Sequence, residues 1–446
     1  MKKFDSYKDS EIEWIGEIPE HWLVKKIKHC CYVKARVGWK GLKSDEFLSD
    51  GYAYLVTGSD FKNDKVDWNE CYHIDKGRYD EDPYIQLQEE DLLITKDGTI
   101  GKIAIVNNLY KPACLNSGIF VVRSTQEDFS TGYLFWILKS KLFTQFNEYT
   151  SYGSTIQHLY QNVFVEFGFT FPSIEEQITI TNYLDRKTAE IDELIADKKR
   201  LLELYEEEKT AIINHAVTKG INPNAPMKDS GIEWLGEIPD HWGVKKLKFS
   251  VSKIGSGITP SGGSSVYQTS GIRLLRSQNI HFDGLKLDDV AYISEDIDAG
   301  MSNSRIQEND VLLNITGASI GRCYYVPVGF GKGNVNQHVC IIRPILNKID
   351  VIFLYYQLRS IIGQVQINLQ QTGANREGLN FEQLKNFLFV KPESIEEQKA
   401  IVQQIEICCA RIDAKKLKTE KLIELLAEYR TALISEVVTG KIKVVD

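Results

Sequence analysis

The sequence predicts an α+β protein built from two tandem copies of one unit, each copy being a globular domain followed by a long α-helix. The phrase DSEIEWIGEIPEHWLVKKIK at 9–28 recurs as DSGIEWLGEIPDHWGVKKLK at 229–248, with 15 of 20 positions identical. A second phrase, SIEEQ, stands at 173–177 and again at 394–398. The two repeats share nearly the same offset, so a whole domain is duplicated. The length of 446 residues is ample for the two hydrophobic cores that this requires.

The repeated phrases place the domain boundaries. The prediction is a first domain at 1–172, a first helix at 173–220 with a linker to 228, a second domain at 229–392, and a second helix with a C-terminal tail at 393–446. The NPNAP run at 222–226 has the composition of a linker.

Short β-rich runs fill both globular parts. YAYLV, DLLIT, KIAIV and GIFVVR occur in the first copy, and IRLLR, DVLLNI, CYYVPV and HVCIIRP in the second. Gly, Asn and Asp separate these runs, as expected of turns between strands. One helical stretch follows in each copy, near 132–147 and near 351–366. This mixture predicts α+β domains.

The long helices begin at SIEEQ, whose Ser and second Glu match a capping box. Residues 174–218 contain neither Gly nor Pro, and apolar residues recur there near every 3.5 positions. We expect the two helices to pack on each other as an antiparallel coiled coil. The alternative is two independent amphipathic helices, each packed on its own domain. The apolar rows are Leu184, Ile191, Lys198, Tyr205 and Ile212 in the first helix and Ile405, Ile412, Thr419, Leu426 and Leu433 in the second.

Catalytic signatures are missing from the sequence. It contains no P-loop, no HExxH, no Rossmann fingerprint and no GxSxG. It also lacks the Asn/Asp-Pro-Pro-Tyr/Phe stretch with which adenine methyltransferases hold the flipped base. The eight cysteines have no CxxC or disulfide-framework spacing, which favours reduced buried thiols. No apolar run is long enough for a membrane span, so we expect a soluble, cytoplasmic protein without catalytic activity.

The excess of acidic side chains is unusual for a protein that binds DNA phosphates without a partner. Residues 1–172 carry 20 basic and 25 acidic side chains, whereas 229–392 carry 16 and 15. The whole chain has a formal net charge of −8. Phosphate binding by itself requires a basic surface. The basic residues therefore cluster on one face, or partners supply the phosphate contacts.

Taken together, these features resemble the specificity subunits of type I restriction-modification systems. The residues that carry the resemblance are EIPEHW and EIPDHW, the two SIEEQ phrases, the loops DGTIGK and TGASIGR, and the stretches VGWKGLKSDEF and GSGITPSGG. The combination is specific and covers essentially the whole chain.

The resemblance implies that each globular domain reads one half of a bipartite, asymmetric site in double-stranded DNA. It also implies that the paired helices set the gap between the halves and dock two modification subunits, with restriction subunits joining the assembly. Adenine methylation from S-adenosylmethionine and cleavage driven by ATP and Mg would belong to those partners. This chain itself would hold no cofactor and no metal. Because VKARVGWKGLKSDEF at 33–47 and VSKIGSGITPSGGSS at 251–265 share almost nothing, the two half-sites should differ.

Candidate DNA contacts are polar and basic residues in Gly-containing loops after strands, where backbone amides and cations can reach phosphates and amide side chains can reach base edges. The alternative for the DGTIGK and TGASIGR loops is a tight structural turn. In the first copy the candidates are Thr57, Ser59, Asn63, Lys96, Thr99, Lys102, Tyr152, Ser154 and Gln157. In the second copy they are Arg273, Arg276, Ser277, Gln278, Asn279, Asn314, Thr316, Ser319, Arg322, Asn375 and Arg376.

Two other functions stay open. One is a self-contained DNA-modifying enzyme, which the missing motifs disfavour. The other is a bivalent scaffold whose twin domains bind protein, which the acidic balance permits. Trp14, Trp22, Trp234 and Trp242 are expected to anchor a core or a partner surface rather than to stack on DNA.

Overall fold

The computed structural model of the chain describes residues 2–36, 42–43, 46–150, 158–371 and 378–444. The chain divides into two units. The first unit comprises Met1–Lys199 and Glu420–Asp446, and the second comprises Arg200–Thr419. Both boundaries fall within the long helices, so each unit contains part of both helices.

The first unit is built from short strands and a few helices. Its strands are β1 (Tyr7–Asp9), β2 (Glu17–Pro19), β3 (Leu23–Lys26), β4 (Cys31–Lys34), β5 (Ala53–Val56), β6 (Phe61–Lys62), β7 (Lys65–Val66), β8 (Tyr72–Ile74), β9 (Leu92–Thr95), β10 (Ile103–Ile105), β11 (Ala113–Leu115), β12 (Ile119–Ser124) and β13 (Gly168–Phe171). Its helices are α1 (Ile27–Cys30), α2 (Lys76–Asp80), α3 (Thr131–Lys139), α4 (Lys141–Thr150), α5 (Gln161–Phe164) and the start of α6 (Ile174–Lys219).

The second unit repeats this arrangement. Its strands are β14 (Met227–Asp229), β15 (Glu237–Pro239), β16 (Gly243–Lys246), β17 (Val251–Ser256), β18 (Ile272–Leu275), β19 (Ile280–His281), β20 (Gly284–Leu285), β21 (Ala291–Ile293), β22 (Val311–Asn314), β23 (Cys323–Tyr325), β24 (Gly333–Val335), β25 (Val339–Pro344) and β26 (Leu388–Lys391). Its helices are α7 (Glu295–Gly300), α8 (Val351–Arg359), α9 (Ile361–Gln371), α10 (Phe381–Lys385) and the start of α11 (Ile395–Val438).

The sheets of the two units correspond. In the first unit the main sheet has the order β4-β12-β9-β10-β7-β6, and a smaller one has the order β11-β5-β8. In the second unit the orders are β17-β25-β22-β23 and β21-β18-β24. Each unit also pairs its third strand with its last, β3 with β13 and β16 with β26. Every β-rich run predicted from the sequence contains a strand, which confirms the α+β fold class.

Each predicted helical stretch after the sheets is in fact two helices, α3 with α4 and α8 with α9. The chain turns at Ser140 and Ser360, which have extended backbone angles. Each serine hydroxyl donates to a carbonyl of the preceding helix and accepts the amide two residues further on. These hydroxyls satisfy backbone groups at the turn, so the helix can break without Gly or Pro. The apolar pattern of the sequence continues through the turn and therefore does not reveal the break.

The long helices run antiparallel, as predicted. In the first unit Arg430 of α11 lies 2.8 Å from Asp192 of α6. In the second unit Lys209 of α6 lies 2.7 Å from Asp413 of α11, and Glu206 pairs with Lys416. As the position in α6 rises by three, its partner in α11 falls by three. Most of the two apolar rows is buried or half-buried, so the rows form the seam between the helices.

The C-terminal end of each long helix enters a globular core. In the first unit Leu433 and Val437 of α11 share a buried cluster with Trp22. In the second unit Ile213 and Val217 of α6 share a buried cluster with Trp242. The sequence predicted that the helices pair but did not indicate which core each helix end completes.

The repeated phrases form the same clasp in both units. In the first, the carboxylate of Glu176 accepts hydrogen bonds from His21 Nε2 at 2.9 Å and Trp22 Nε1 at 3.1 Å. In the second, Glu397 accepts from His241 at 2.9 Å and from Trp242 at 3.0 Å. EIPxHW and SIEEQ are therefore two halves of one intramolecular contact, and this contact accounts for their repetition.

The buried glutamines of SIEEQ extend the clasp. Gln177 accepts a hydrogen bond from the amide of Ser130, and Gln398 accepts one from the amide of Asp350. Ser130 and Asp350 are the residues that cap α3 and α8.

The eight cysteines are free thiols. Within the described ranges, no helix combines the length and the apolar character that crossing a membrane requires.

Candidate nucleic-acid interface

In the first unit, Thr95 closes the loop that follows β9. Its hydroxyl donates to the carbonyl of Thr99 at 2.5 Å and accepts the amide of Lys102 at 2.9 Å. Gly98 and Gly101 have φ of +68° and +81°, a region that favours glycine. The loop is thus a tight structural turn whose exposed side chains include those of Thr99 and Lys102.

Lys96 is placed differently from Lys102. Its side chain is only 16% exposed and its Nζ lies 2.9 Å from the carboxylate of Asp97. Asp97 also pairs with His158. The charge of Lys96 is therefore compensated within the protein, so a phosphate contact by this residue stays a prediction that requires the ion pair to open.

The turn after β5 lies against the same loop. The buried carboxylate of Asp60 accepts from the amide of Thr57 at 2.7 Å, and the hydroxyls of Thr57 and Ser59 are 2.7 Å apart. Burial raises the pKa of Asp60 despite these hydrogen bonds. A Cβ at Gly58 would come within 2.9 Å of the Thr95 side chain. The structure therefore brings Thr57 and Ser59 next to the Thr99 loop.

Asn63 belongs to another part of the unit. It lies at the tip of the β6–β7 hairpin with φ of +49°, followed by Asp64 at +62°. Asp64 pairs with Lys139 at the end of α3. Asn tolerates this left-handed backbone, so the turn itself accounts for the residue type.

In the second unit Asn314 joins two candidate loops. It is fully buried at the end of β22, and its Nδ2 donates to the carbonyl of Ser277 at 2.8 Å and to the hydroxyl of Ser319 at 3.1 Å. Its Oδ1 is buried without a hydrogen-bond partner among the described residues. The two loops that the sequence pointed to are therefore adjacent, but the Asn314 amide that joins them faces inward.

The loop after β18 is held by the segment that ends at Asp289. Arg276 donates to the Asp289 carbonyl at 2.8 Å, and Gln278 donates to the Asp289 carboxylate. Asn279 is 1% exposed and donates to the carbonyl of Lys286 at 2.8 Å. These three side chains organise the loop, and Gln278 is the most exposed of them. Base contacts by Arg276 and Asn279 stay predictions that would need these bonds to break.

Three other candidates in the second unit have distinct surroundings. Arg273 donates to the carbonyl of Phe330 at 2.8 Å and stacks on its ring. Thr316 is 2.5 Å from His338 Nδ1. Arg322 is exposed, and no ion pair joins it to another residue in the described part of the chain. Its guanidinium is consequently the most available cation of these loops.

A cleft that the sequence did not reveal lies beside Arg322. Its volume is about 670 Å³, and its lining includes Tyr324, Tyr355 and Arg359. Arg359 donates to the Tyr355 hydroxyl at 2.7 Å and to the Phe282 carbonyl at 2.9 Å. The paired tyrosines at 324–325 and 355–356 were the available signal. Glu406 and Asp413 also line the cleft, and Tyr355 is only 3% exposed, so the lining does not suit base stacking or phosphate contact.

Five candidates lie outside the described residues, namely Tyr152, Ser154, Gln157, Asn375 and Arg376. Among the residues that are described, no group of three or more His, Cys, Asp or Glu side chains could hold a metal ion. What the two units present is thus a pair of loop clusters with hydroxyl, amide and guanidinium donors, the groups that read base edges and phosphates.

Known proteins resemble this chain over most of its length. The family model "Type I restriction modification DNA specificity domain" matches residues 19–204 and again 251–425. The MjaVIII specificity subunit of the type I restriction enzyme from Methanocaldococcus jannaschii is 25% identical over 435 residues, covering 96% of this chain and 94% of its own. The EcoBI specificity subunit from Escherichia coli is 24% identical over 360 residues, covering 79% of this chain and 74% of its own.

Solved structures share the fold. A chain from a study of complex assembly and conformational transition in the type I R-M system matches with a TM-score of 0.68 and 15% identity, covering 95% of this chain and 99% of that one. The HsdS subunit from Thermoanaerobacter tengcongensis matches with a TM-score of 0.57 and 16% identity, covering 95% and 98%.

Proposed function

The chain belongs to the type I restriction modification DNA specificity family, with two tandem recognition domains, and from this premise we propose that it reads a bipartite DNA site, one half-site with the loop cluster of each unit. The chain contributes recognition alone. Methylation of adenine and cleavage of DNA belong to partner subunits, which bring S-adenosylmethionine, ATP and Mg.

One observation carries this proposal: the two copies keep their internal contacts and differ in their exposed loops. The clasp of His, Trp and Glu is the same in both units at nearly equal distances. At equivalent loop positions, however, the first unit exposes Ser59 and Lys102, and the second exposes Gln278 and Arg322. An ammonium and a guanidinium both favour guanine, whereas an amide favours adenine and a hydroxyl is less selective. The exchange of Ser59 for Gln278 therefore supports two different half-sites.

Exposed apolar side chains on the long helices support docking of partner proteins. Exposed large apolar side chains of this kind can be covered by a partner protein. We propose that two modification subunits dock there and that restriction subunits join them. The residues concerned are Ile178, Leu194, Leu204, Ile407, Leu417, Leu422, Leu425 and Tyr429, which are between 39% and 68% exposed.

The test is methylome mapping in a host that lacks the system. The chain is co-expressed with its modification subunit, and methylated adenines are mapped by single-molecule sequencing. A bipartite motif that requires both proteins is the expected result. A soluble complex that carries S-adenosylmethionine and methylates no motif would refute the proposal.

A segment exchange then tests which unit reads which half. Residues 251–380 are replaced by the corresponding segment of a relative, because this range leaves β16, β26 and the Glu397 clasp intact. Only one half of the methylated motif should change. A change in both halves would show that the units do not read DNA independently.

The helix pair is expected to set the gap between the half-sites. Inserting about four residues near Tyr205, and the same number near Leu417 in the facing helix, lengthens the paired segment by ~6 Å. The tolerated gap in the methylated motif should then widen. A matched insertion in α6 alone serves as control, because it shifts the register of the Lys209–Asp413 and Glu206–Lys416 pairs. An unchanged gap in the double insertion would mean that the spacing is set elsewhere.

A further inference from the structure

The second unit contains a pocket lined by four lysines. Lys245 and Lys246 come from β16, Lys391 from β26, and Lys348 from the segment before α8. The cavity has a volume of about 640 Å³, and Glu393 is the one carboxylate in its lining. We call this cavity the lysine pocket.

The charges of the lysine pocket are not balanced from within. Glu393 lies 2.5 Å from the ammonium of Lys245 and 3.6 Å from that of Lys391. Lys391 is only 3% exposed. Burial, partly offset by Glu393, together with repulsion from Lys245 lowers the pKa of Lys391. A single carboxylate thus faces four ammonium groups, and an anion entering the pocket would relieve their repulsion.

At the same position in the first unit, two carboxylates compensate most of the lysine charge. There Lys26 and Lys28 both bind Glu166, at 2.9 Å and 2.6 Å. Lys25 lies 3.5 Å from Asp128 and 3.6 Å from the centre of the Phe171 ring. The three lysines of the repeated VKKxK phrase are therefore satisfied inside the first unit.

Three differences between the copies remove this charge compensation. At the offset of 220 that the repeated phrase defines, Lys348 replaces Asp128, Asn386 replaces Glu166, and Lys391 replaces Phe171. The strand registers agree, since Lys25 faces Phe169 and Lys245 faces Phe389. Glu393 follows in the second unit where the first has no carboxylate. The local change is thus a net loss of one carboxylate and a gain of two lysines on matching strand registers.

The lysine pocket does not belong to the candidate nucleic-acid interface of its unit. In the sheet, Val251 pairs with Pro344 at the end next to the pocket, whereas Ser256 pairs with Cys340 at the other end. Asn314, which joins the candidate loops, pairs with Val339 at that other end. At about 3.3 Å per residue, the five steps from Pro344 to Val339 separate the two places by about 16 Å.

The concave shape of the lysine pocket and its apolar rim indicate which kind of ligand it can bind. Duplex DNA is convex and presents its phosphates on ridges, so it would not reach Lys391 within a concavity. Val244 lines the pocket, and Phe249 at its mouth is 57% exposed while the nearby Leu346 is 58% exposed. A flexible chain with carboxylate side chains can reach the lysines while its apolar side chains cover these residues.

We propose that the lysine pocket is a docking site for an acidic, partly apolar segment of a partner protein, and that it exists in the second unit alone. A partner that uses this site is therefore held once per chain, although the units are duplicated. The inference stands apart from DNA reading, because it involves none of the loop residues.

The test uses the full chain and a short fluorescent peptide of alternating Glu and Leu, with binding followed by anisotropy. A peptide with Gln in place of Glu is the ligand control. The variant K348D/N386E gives the pocket the carboxylates that the first unit has at the same positions, so it is compatible with the fold. It should weaken peptide binding by at least about tenfold, because the ligand then meets like charges.

The control variant is K332D, which reverses an exposed lysine elsewhere in the second unit and should bind the peptide like the wild type. Both variants should keep the methylated motif unchanged, which separates this inference from the proposed function. The inference is overturned if the wild type does not bind the Glu peptide, or if K332D weakens binding as much as K348D/N386E. It is also overturned if an unrelated DNA duplex binds the wild type and K332D but binds K348D/N386E more weakly. Self-association through the pocket, seen by sedimentation and abolished in K348D/N386E, would also overturn it.

Discussion

Replacing Glu176 with alanine should open the clasp of the first unit and leave that of the second intact. The Glu176 carboxylate is 14% exposed and accepts from His21, from the nearly buried Trp22 and from the amide of Ser173. Alanine removes all three acceptor contacts and leaves the indole N–H of Trp22 without its partner.

The expected loss of stability follows from these three contacts. A buried donor left without a partner costs about 1–3 kcal/mol, and loss of a helix cap costs about 1 kcal/mol. Together they give about 3 kcal/mol for Glu176→Ala. Glu176→Gln keeps an oxygen acceptor and loses only the charge, so we expect about 1 kcal/mol.

The assay is hydrogen–deuterium exchange measured separately in the two copies of the opening phrase. Exchange in residues 17–26 should accelerate by about a hundredfold, since 1.4 kcal/mol is a factor of ten. Residues 237–246 should be unchanged. Glu397→Ala is the matched control and should produce the opposite pattern, with a smaller effect because Glu397 is 32% exposed.

Two results would refute this reasoning. One is equal acceleration of exchange in both phrases after Glu176→Ala, which would mean that the clasp does not act locally. The other is strict additivity of Glu176→Ala with Trp22→Phe, since residues in direct contact should show a coupling energy of at least about 0.5 kcal/mol.

Three further predictions concern backbone, pH and DNA binding. Gly440→Ala should destabilise more than Gly220→Ala in chemical denaturation, because both glycines have φ near +75° but a Cβ at Gly440 would lie 2.5 Å from Pro19 against 3.3 Å from Trp242 at Gly220; equal losses would contradict this. Hydrogen bonds from two lysines lower the pKa of Glu166 from 4.5 to about 2. The stabilisation that these ion pairs give the folded state should therefore be complete above pH 4.5 and be lost as the pH falls through about 2. The difference in melting temperature between the wild type and Glu166→Asn should accordingly vanish near pH 2. Arg322→Ala should weaken DNA binding of the assembled complex by about tenfold or more without changing its melting temperature, and an unchanged affinity would remove Arg322 from the interface.

Much of the candidate site depends on contacts that no local pattern encodes. The loops after β9 and β22 could be predicted because glycines and polar residues follow β-rich runs. The inward amide of Asn314 could not, because its partner Ser277 is far away in sequence. Lys96 and Lys102 read alike in the sequence, and only the ion pair with Asp97 distinguishes them.

The sequence by itself determined the duplication, the α+β class and the start of both long helices, and it predicted their antiparallel pairing. These features follow from repeated phrases, residue periodicity and capping residues, which are local and therefore readable along the chain. The tertiary structure alone decided that the end of α11 completes the core around Trp22 and the end of α6 the core around Trp242. It also decided that the lysines of the VKKxK phrase are paired with carboxylates in one unit and line the lysine pocket in the other. The physical reason is that burial and charge compensation depend on residues distant in sequence, such as Glu166 and Lys391, which only folding brings next to the phrase.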